Sequence, residues 1–296
     1  MRQSRLRPRR RWRSREVSRI PNCNARQIFN FGSFGNSGDF GNCSQGVILA
    51  ILLLQGLMSN LFLVRHGQAS FLEENYDKLS TKGEAQSRML GEYWVKHGVT
   101  FDQVFSGPRS RQRHTALLAG EAYRKAGLPW PDATIVEGFD EFSAEAVIEK
   151  ALPGLLENDK HVRTLHAEFE KAEGQAERFK TFQRMFEVIV GRWAGGQLSV
   201  PGIEPWSHFC DRVQTALAQI TTASSANANI AVFTSGGPNG VAMQRALNLN
   251  TEATLRAAWM TVNSAYSHFI FSGDRFTLAS YNSYPHITDR EFFTYR

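Results

Sequence analysis

The chain has 296 residues, 42% of them hydrophobic, with 34 Lys and Arg against 28 Asp and Glu and only 3 Cys. That length and apolar fraction exclude bulk disorder, and so few cysteines exclude a small disulfide-stapled scaffold. The net charge of +6 is unevenly held: residues 1–57 contain ten arginines and two acids, net +8, which leaves net −2 on the other 239 residues. The basic balance belongs to the N-terminal segment, so no nucleic-acid binding is expected of the body. Cys23 and Cys43 also lie in that segment and Cys210 stands alone in the body. No disulfide framework follows, and the body reads as a soluble cytoplasmic protein.

The first 57 residues divide into three stretches. Arg7, Arg9, Arg10, Arg11, Arg13 and Arg15 form a basic cluster. A run rich in Gly, Asn, Ser and Phe follows and cannot bury a core, and the segment then becomes the apolar run "VILAILLL". That run is well short of the roughly 18–20 residues needed to cross a bilayer as a helix, and it begins too far from the chain start for a secretory signal. No membrane span is expected. The composition changes at Met58, where "MSNLFLVRHG" has the form of an ordinary start before a first strand. We expect residues 1–57 to be a basic, low-complexity extension and Met58 to begin the native protein; a tether to nucleic acid or an anionic surface is the alternative.

From residue 61 onward short apolar runs alternate with amphipathic stretches, which predicts an α/β three-layer sandwich with a mostly parallel central sheet flanked by helices. "LFLV" (61–64) is a short buried strand. Residues 86–98 read as a helix with Met89, Leu90, Tyr93 and Trp94 on one face and Gly98 as its stop. A strand over 102–108 leads into a helix over 112–127, and 134–139 is a further strand. Residues 144–195 read as a helical insert in which Phe179, Phe182, Phe186, Ile189 and Trp193 recur at helical spacing, a stripe expected to pack in the core. "NIAVFT" (229–234) is a strand broken at "SGGPNG" before the helix "VAMQRAL", and 267–281 is a hairpin turning at Ser272, Gly273 and Asp274.

The segment that decides function is "LVRHGQAS". It puts Arg65, His66 and Gly67 at the C-terminal end of the first strand, the edge at which open α/β sheets bind ligands. Further motifs follow in order: Asp77, Leu79, Ser80, Gly83 and Gln86; Ser106, Pro108, Arg111, Thr115 and Ala116; Phe139-Asp140-Glu141; "GIEPWSHFCDRV"; and "YNSYPHI". Over nearly all of residues 61–287 this series resembles the histidine phosphatase superfamily, also called the phosphoglycerate mutase-like family. The resemblance implies a phosphohistidine intermediate on His66, with Arg65 and Arg111 as planar forks for phosphate oxygens. It makes Glu141 the acid that protonates the leaving oxygen, with Glu137 and Glu145 near in sequence. An imidazole with its ordinary pKa of about 6.5 is largely neutral, and so nucleophilic, at pH 7. Arg109 and Arg113 are expected to face solvent, with binding of an acidic substrate by either as the alternative. No metal and no cofactor are expected, because the arginines supply the positive charge.

The chain also departs from the family pattern. Where the family carries a second histidine in [ST]-H-G-G, "FTSGGPNG" has Ser235, an uncharged hydroxyl; loss of one such donor typically costs about 2.7–4 kcal/mol of transition-state stabilisation. The backbone N–H groups of Gly236 and Gly237 remain as phosphate donors at a helix start. Arg65, Arg111, Ser235 and Gly236 are therefore the expected phosphate-binding set. Ala69 and Leu72 replace the polar residues of mutase-type members, and His114 stands where Gln is common. The expected function is a weak phosphomonoesterase acting on a small phosphorylated substrate. One alternative is mutase-type phosphotransfer, whose basic stretch after the acid glutamate is replaced here by Phe142-Ser143-Ala144. The other is a noncatalytic phospho-ligand binding module, which Ser235 favours. A homodimer is compatible with the sequence and not readable from it.

Overall fold

The computed structural model describes residues 58–70 and 77–295. The expectations for residues 1–57 and for Leu72 lie outside the described residues. Strands β1 (Ser59–Arg65), β2 (Gln103–Ser106), β3 (Thr134–Ile135), β4 (Asn229–Thr234), β5 (Tyr266–Ser272) and β6 (Arg275–Ser283) form one sheet in the order β3-β2-β4-β1-β5-β6. β3, β2, β4 and β1 are mutually parallel, β5 is antiparallel to β1, and β6 is antiparallel to β5. Only β5 runs against the rest. The helices among the described residues are α1 (Thr81–Lys96), α2 (Ser110–Lys125), α3 (Ala144–Asn158), α4 (Lys160–Lys171), α5 (Gln175–Ala194), α6 (Trp206–Ala223), α7 (Gly236–Leu247) and α8 (Thr251–Met260).

Alternation along β1 and β4 sends side chains to two separate cores, because successive residues of a strand face opposite ways. Leu61, Leu63, Ile230 and Val232 join the core made with α6, α7 and the helices α3–α5. Val64, Ala231 and Phe233 join the core made with α1 and α2, where Leu90, Trp94, Ala119 and Tyr123 close the layer. The result is the three-layer α/β arrangement that the alternating apolar runs predict.

Element boundaries differ from the pattern-based expectations for local reasons. α1 starts at Thr81 rather than 86 because Ser80 caps it, its Oγ accepting from the Gly83 N–H at 3.1 Å. Gly83 is needed there: a Cβ would overlap the Gln68 carbonyl oxygen on the connection from β1. β3 covers only Thr134–Ile135. After it the chain makes a 3-10 turn over Glu137–Phe139, whose last carbonyl accepts from Thr234 Oγ1 at 2.8 Å and Gln112 Nε2 at 3.3 Å. α7 begins at Gly236, inside the segment read as a turn. Pro238 sits in its first turn, where backbone N–H groups have no intrahelical partner and a missing one costs nothing. α8 has no counterpart in the expectations; its sequence signal is Asn250, whose Oδ1 caps the Ala253 N–H at 2.9 Å.

The aromatic stripe of α5 also divides. Phe186, Ile189 and Trp193 are buried in the core, as expected, and Phe182 packs against it, whereas Phe179, 44% exposed, stands in a cleft that Phe182 and Phe186 also line.

Candidate active site

The C-terminal ends of β1, β2 and β4 and the turn after β3 converge on a cleft of about 730 Å³. His66 follows β1 directly. Its Nδ1 lies 2.7 Å from the Gly67 carbonyl oxygen, which can only accept, so the ring proton is assigned to Nδ1. Nε2 then keeps its lone pair and accepts from Arg111 Nε at 3.1 Å. Burial, and after it the charges of Arg111 and Arg65, hold the imidazole well below its ordinary pKa, so the ring is neutral at neutral pH. The Gly67 N–H donates to Thr115 Oγ1 at 3.1 Å, and that hydroxyl donates to the Arg111 carbonyl at 2.7 Å, which ties the strand end to α2.

Arg111 is only 5% exposed, in the first turn of α2. A buried guanidinium needs a counter-charge, and Asp77 Oδ1 lies 3.3 Å from its Nη1. The other Asp77 oxygen accepts from the Ser110 N–H at 2.8 Å, so one carboxylate both caps α2 and orients the arginine. The Arg65 guanidinium lines the cleft and donates to the Thr261 carbonyl. Arg109, expected in solvent, also lines the cleft, with Nε on Asp140 Oδ1 and Nη2 3.3 Å from the Glu141 carbonyl. Arg113 is exposed, as expected.

Glu141 enters the cleft with both oxygens held by backbone: Oε2 accepts from the Gly237 N–H at 2.9 Å and Oε1 from the Phe142 N–H at 3.0 Å. Burial raises its pKa above the ordinary carboxylate value, against the pull of those two N–H groups and of Arg111 and Arg65. Gly237 must be glycine here, because a Cβ would overlap Glu141 Oε1 and crowd the rings of Phe142 and Phe209. The loop carrying Glu141 is gripped from behind by Arg212 of α6. Its Nη1 donates to the Gly138 and Asp140 carbonyls at 3.1 Å each, while Nε and Nη2 hold Glu204 at 3.0 and 2.8 Å. Both residues belong to "GIEPWSHFCDRV", and a Glu eight positions before an Arg at a helix start was the signal that this segment carries a clamp. Of the neighbouring acids, Glu145 lines the cleft and Glu137 does not.

The structure thus brings Arg65, His66, Arg111, Glu141 and Gly236 to one cleft. Ser235 is placed differently. It precedes α7, is 1% exposed, and its Oγ accepts from Gln112 Nε2 at 2.8 Å, beneath the wall rather than among the side chains that line the cleft. Gln112, which sequence reasoning passed over, fills the neighbourhood of that hydroxyl and also accepts from the Arg109 N–H at 3.1 Å. Its position next to Arg111 in the arginine motif was the available signal. Cys210 is no rival nucleophile, since burial pushes its thiol up to about 12. Among the described residues no three His, Cys, Asp or Glu side chains group closely enough to hold a metal ion, and no helix is long and apolar enough to cross a membrane.

Solved structures share this fold. YhfR of Bacillus stearothermophilus superposes with a TM-score of 0.53 at 15% identity, covering 77% of this chain and 99% of its own. A phosphoglycerate mutase from Bacillus anthracis gives 0.51 at 14% identity, over 78% and 96%. The α-ribazole phosphatase of Shigella flexneri gives 0.50 at 19% identity, over 76% and 96%. Comparison with curated proteins gives no match. The model of the histidine phosphatase superfamily (branch 1) matches residues 61–194 and 167–284. With phosphatases and mutases for relatives, phosphoryl transfer is the chemistry these matches support, and the chain belongs to the histidine phosphatase superfamily.

Proposed function

We propose that the protein is a phosphomonoesterase that works through a phosphohistidine on His66. The observation that carries this reading is the pairing of Nδ1 with the Gly67 carbonyl, which leaves Nε2 as the basic, attacking nitrogen in a cleft shared with two arginines and a carboxyl group. A phosphate oxygen competes for the Arg111 N–H that Nε2 now accepts, so substrate binding itself frees the lone pair. Nε2 then forms the N–P bond as the P–O bond to the alcohol breaks, and the departing oxygen takes the proton of Glu141. In the second step a water gives its proton to the Glu141 carboxylate and attacks phosphorus. The N–P bond breaks, its electron pair returns to Nε2, and phosphate leaves. Arg65 and Arg111 meet the charge on the phosphoryl oxygens, and at the start of α7 the Gly236 N–H is the backbone donor proposed for phosphate, since the Gly237 N–H is held by Glu141 and Pro238 has none.

Ser235 supplies no charge to this site, which accords with slow turnover. A noncatalytic binding module is the reading that position favours, but such a module has no need of a neutral histidine in the same cleft as a carboxyl group of raised pKa. Cys210, buried and the free cysteine among the described residues, accords with a reducing, cytoplasmic setting. A panel of phosphate esters assayed for phosphate release with the 58–296 form, with and without EDTA, tests the proposal. Release that survives EDTA and disappears in His66→Ala supports it, and no release from any ester overturns it.

A further inference from the structure

The cleft is far larger than a phosphate group. Its volume of about 730 Å³ lies in the range of roughly 300–1,000 Å³ that encloses a drug-sized ligand. Its two ends differ in chemistry. Every basic residue that lines it among the described residues, Arg65, His66, Arg109 and Arg111, stands at or just after the strand ends, and Arg109 is already engaged by Asp140. The outer lining comes from α3, α5, α8 and the C-terminal residues. Among the described residues it contains three acids, Glu145, Glu149 and Glu187, and no lysine, arginine or histidine. Between the acids the walls are apolar and in good part aromatic: Ile148, Phe179, Phe182, Trp259, Met260 and Tyr295.

Exposed glutamates on helices ordinarily serve solubility, and Glu145 also suits the first turn of α3. The apolar wall is the independent observation. Met260 is 56% exposed, Phe179 44% and Tyr295 39%, and these large side chains gather at one opening beside the phosphate site, as at ligand-binding surfaces. Aromatic faces rimmed by carboxylates attract a cation through both the ring quadrupole and charge, and they repel an anion.

Resting on the phosphatase reading, we propose that the alcohol half of the substrate is a bulky apolar group that carries a positive charge and no negative one, an ammonium-bearing aryl or alkyl phosphate rather than a phosphorylated acid. The phosphate is held at the strand ends, the apolar body lies against Phe182 and Trp259, and the cationic group reaches Glu145, Glu149 and Glu187.

Three benzyl phosphates that differ only in the para substituent, aminomethyl, methyl or carboxylate, test this, with ethyl phosphate as the truncated control. Each has an alkoxide leaving group of similar basicity, so differences in kcat/KM read the outer cleft. The expected order is aminomethyl, methyl, carboxylate, then ethyl, with at least about a tenfold spread between the two charged esters. In the combined variant Glu145→Gln, Glu149→Gln, Glu187→Gln that spread should shrink to about twofold. The corresponding phosphonates, which cannot be hydrolysed, are titrated by calorimetry, and their Kd values should follow the same order of para substituents. Binding in that order with no turnover of any ester would sink the phosphatase reading and leave the substrate class standing. Turnover with equal kcat/KM for the charged pair, a preference for the carboxylate, or ethyl phosphate matching the benzyl esters would overturn the inference itself.

Discussion

The inner end of the cleft draws Arg65 from the last residue of β1, His66 and Glu141 from the connections beyond β1 and β3, and Arg111 from the first turn of α2, and it holds His66 and Glu141 by backbone contacts: Gly67 on His66, Gly237 and Phe142 on Glu141. The outer end is walled by helical side chains such as Phe179, Glu145 and Met260 that stand exposed. The inner end is preorganised, so a small displacement there should cost rate; the outer end can change without disturbing the fold, and changes there should alter selectivity. On the proposed reading, phosphoryl transfer belongs to the first and substrate choice to the second.

The largest effect expected at the inner end is that of His66→Ala. Removing the attacking nitrogen should lower phosphate release by at least about 10³-fold with little change in thermal stability, read by steady-state assay and melting temperature. A variant that keeps appreciable turnover would break the division between the two ends at its root.

Glu141→Gln should cost about 10²–10⁴-fold on alkyl phosphates and much less on nitrophenyl phosphate, whose departing oxygen needs no proton. It should also change the pH profile. The first step needs His66 neutral and Glu141 protonated. The lowered pKa of His66 puts the acid limb of kcat/KM below pH 6.5, and the raised pKa of Glu141 puts the alkaline limb above the usual carboxylate range. The glutamine variant should lose the alkaline limb and keep the acid one. Equal losses on both kinds of ester would remove Glu141 from the role of acid.

Gly237→Ala probes the backbone hold without removing a reacting group. The added methyl must displace Glu141 or the rings of Phe142 and Phe209, so we expect a loss of about 10–10²-fold in turnover together with about 1–3 kcal/mol of stability. Wild-type turnover in this variant would show that Glu141 needs no such hold.

The smallest effect should come from Ser235→Ala. It removes the acceptor of the Gln112 amide, worth about 1 kcal/mol, while Gln112 keeps the Phe139 carbonyl. Turnover should fall less than in Gly237→Ala. Ser235→His, the residue the family pattern calls for, must push Gln112 aside, so its melting temperature should drop and its turnover should not rise. A folded Ser235→His with faster turnover would mean that Ser235 is a simple vacancy in the family site rather than part of a rebuilt wall.

How much of this was legible in the sequence follows the same division. That His66, Arg111 and Glu141 would share one cleft could be read because the motifs that carry them occur in the order of the family pattern. The α/β layering could be read because β1 and β4 are buried on both faces and leave unbroken apolar runs. Ser235 pointed to the right connection but not to its hydroxyl's partner, since Gln112 lies more than a hundred residues away and the bond between them leaves no periodic trace. Arg109 looked like a surface residue until Asp140 appeared beside it. The outer cleft was hidden for a further reason. A helical stripe such as Phe179 to Trp193 has the same spacing whether its face meets a core or an opening, and only the packing of α8, itself announced by a single capping asparagine, decides where one becomes the other.

The central claim is a covalent phosphohistidine at one named residue, and rapid-quench labelling tests it most directly. The wild type is mixed with a phosphate ester carrying radioactive phosphorus, stopped in alkali within milliseconds, digested, and the labelled peptide sequenced. The account predicts an acid-labile, alkali-stable label on the peptide containing His66, formed at least as fast as turnover and absent from His66→Ala. Steady turnover with no such label, or a label on any other residue, would contradict it.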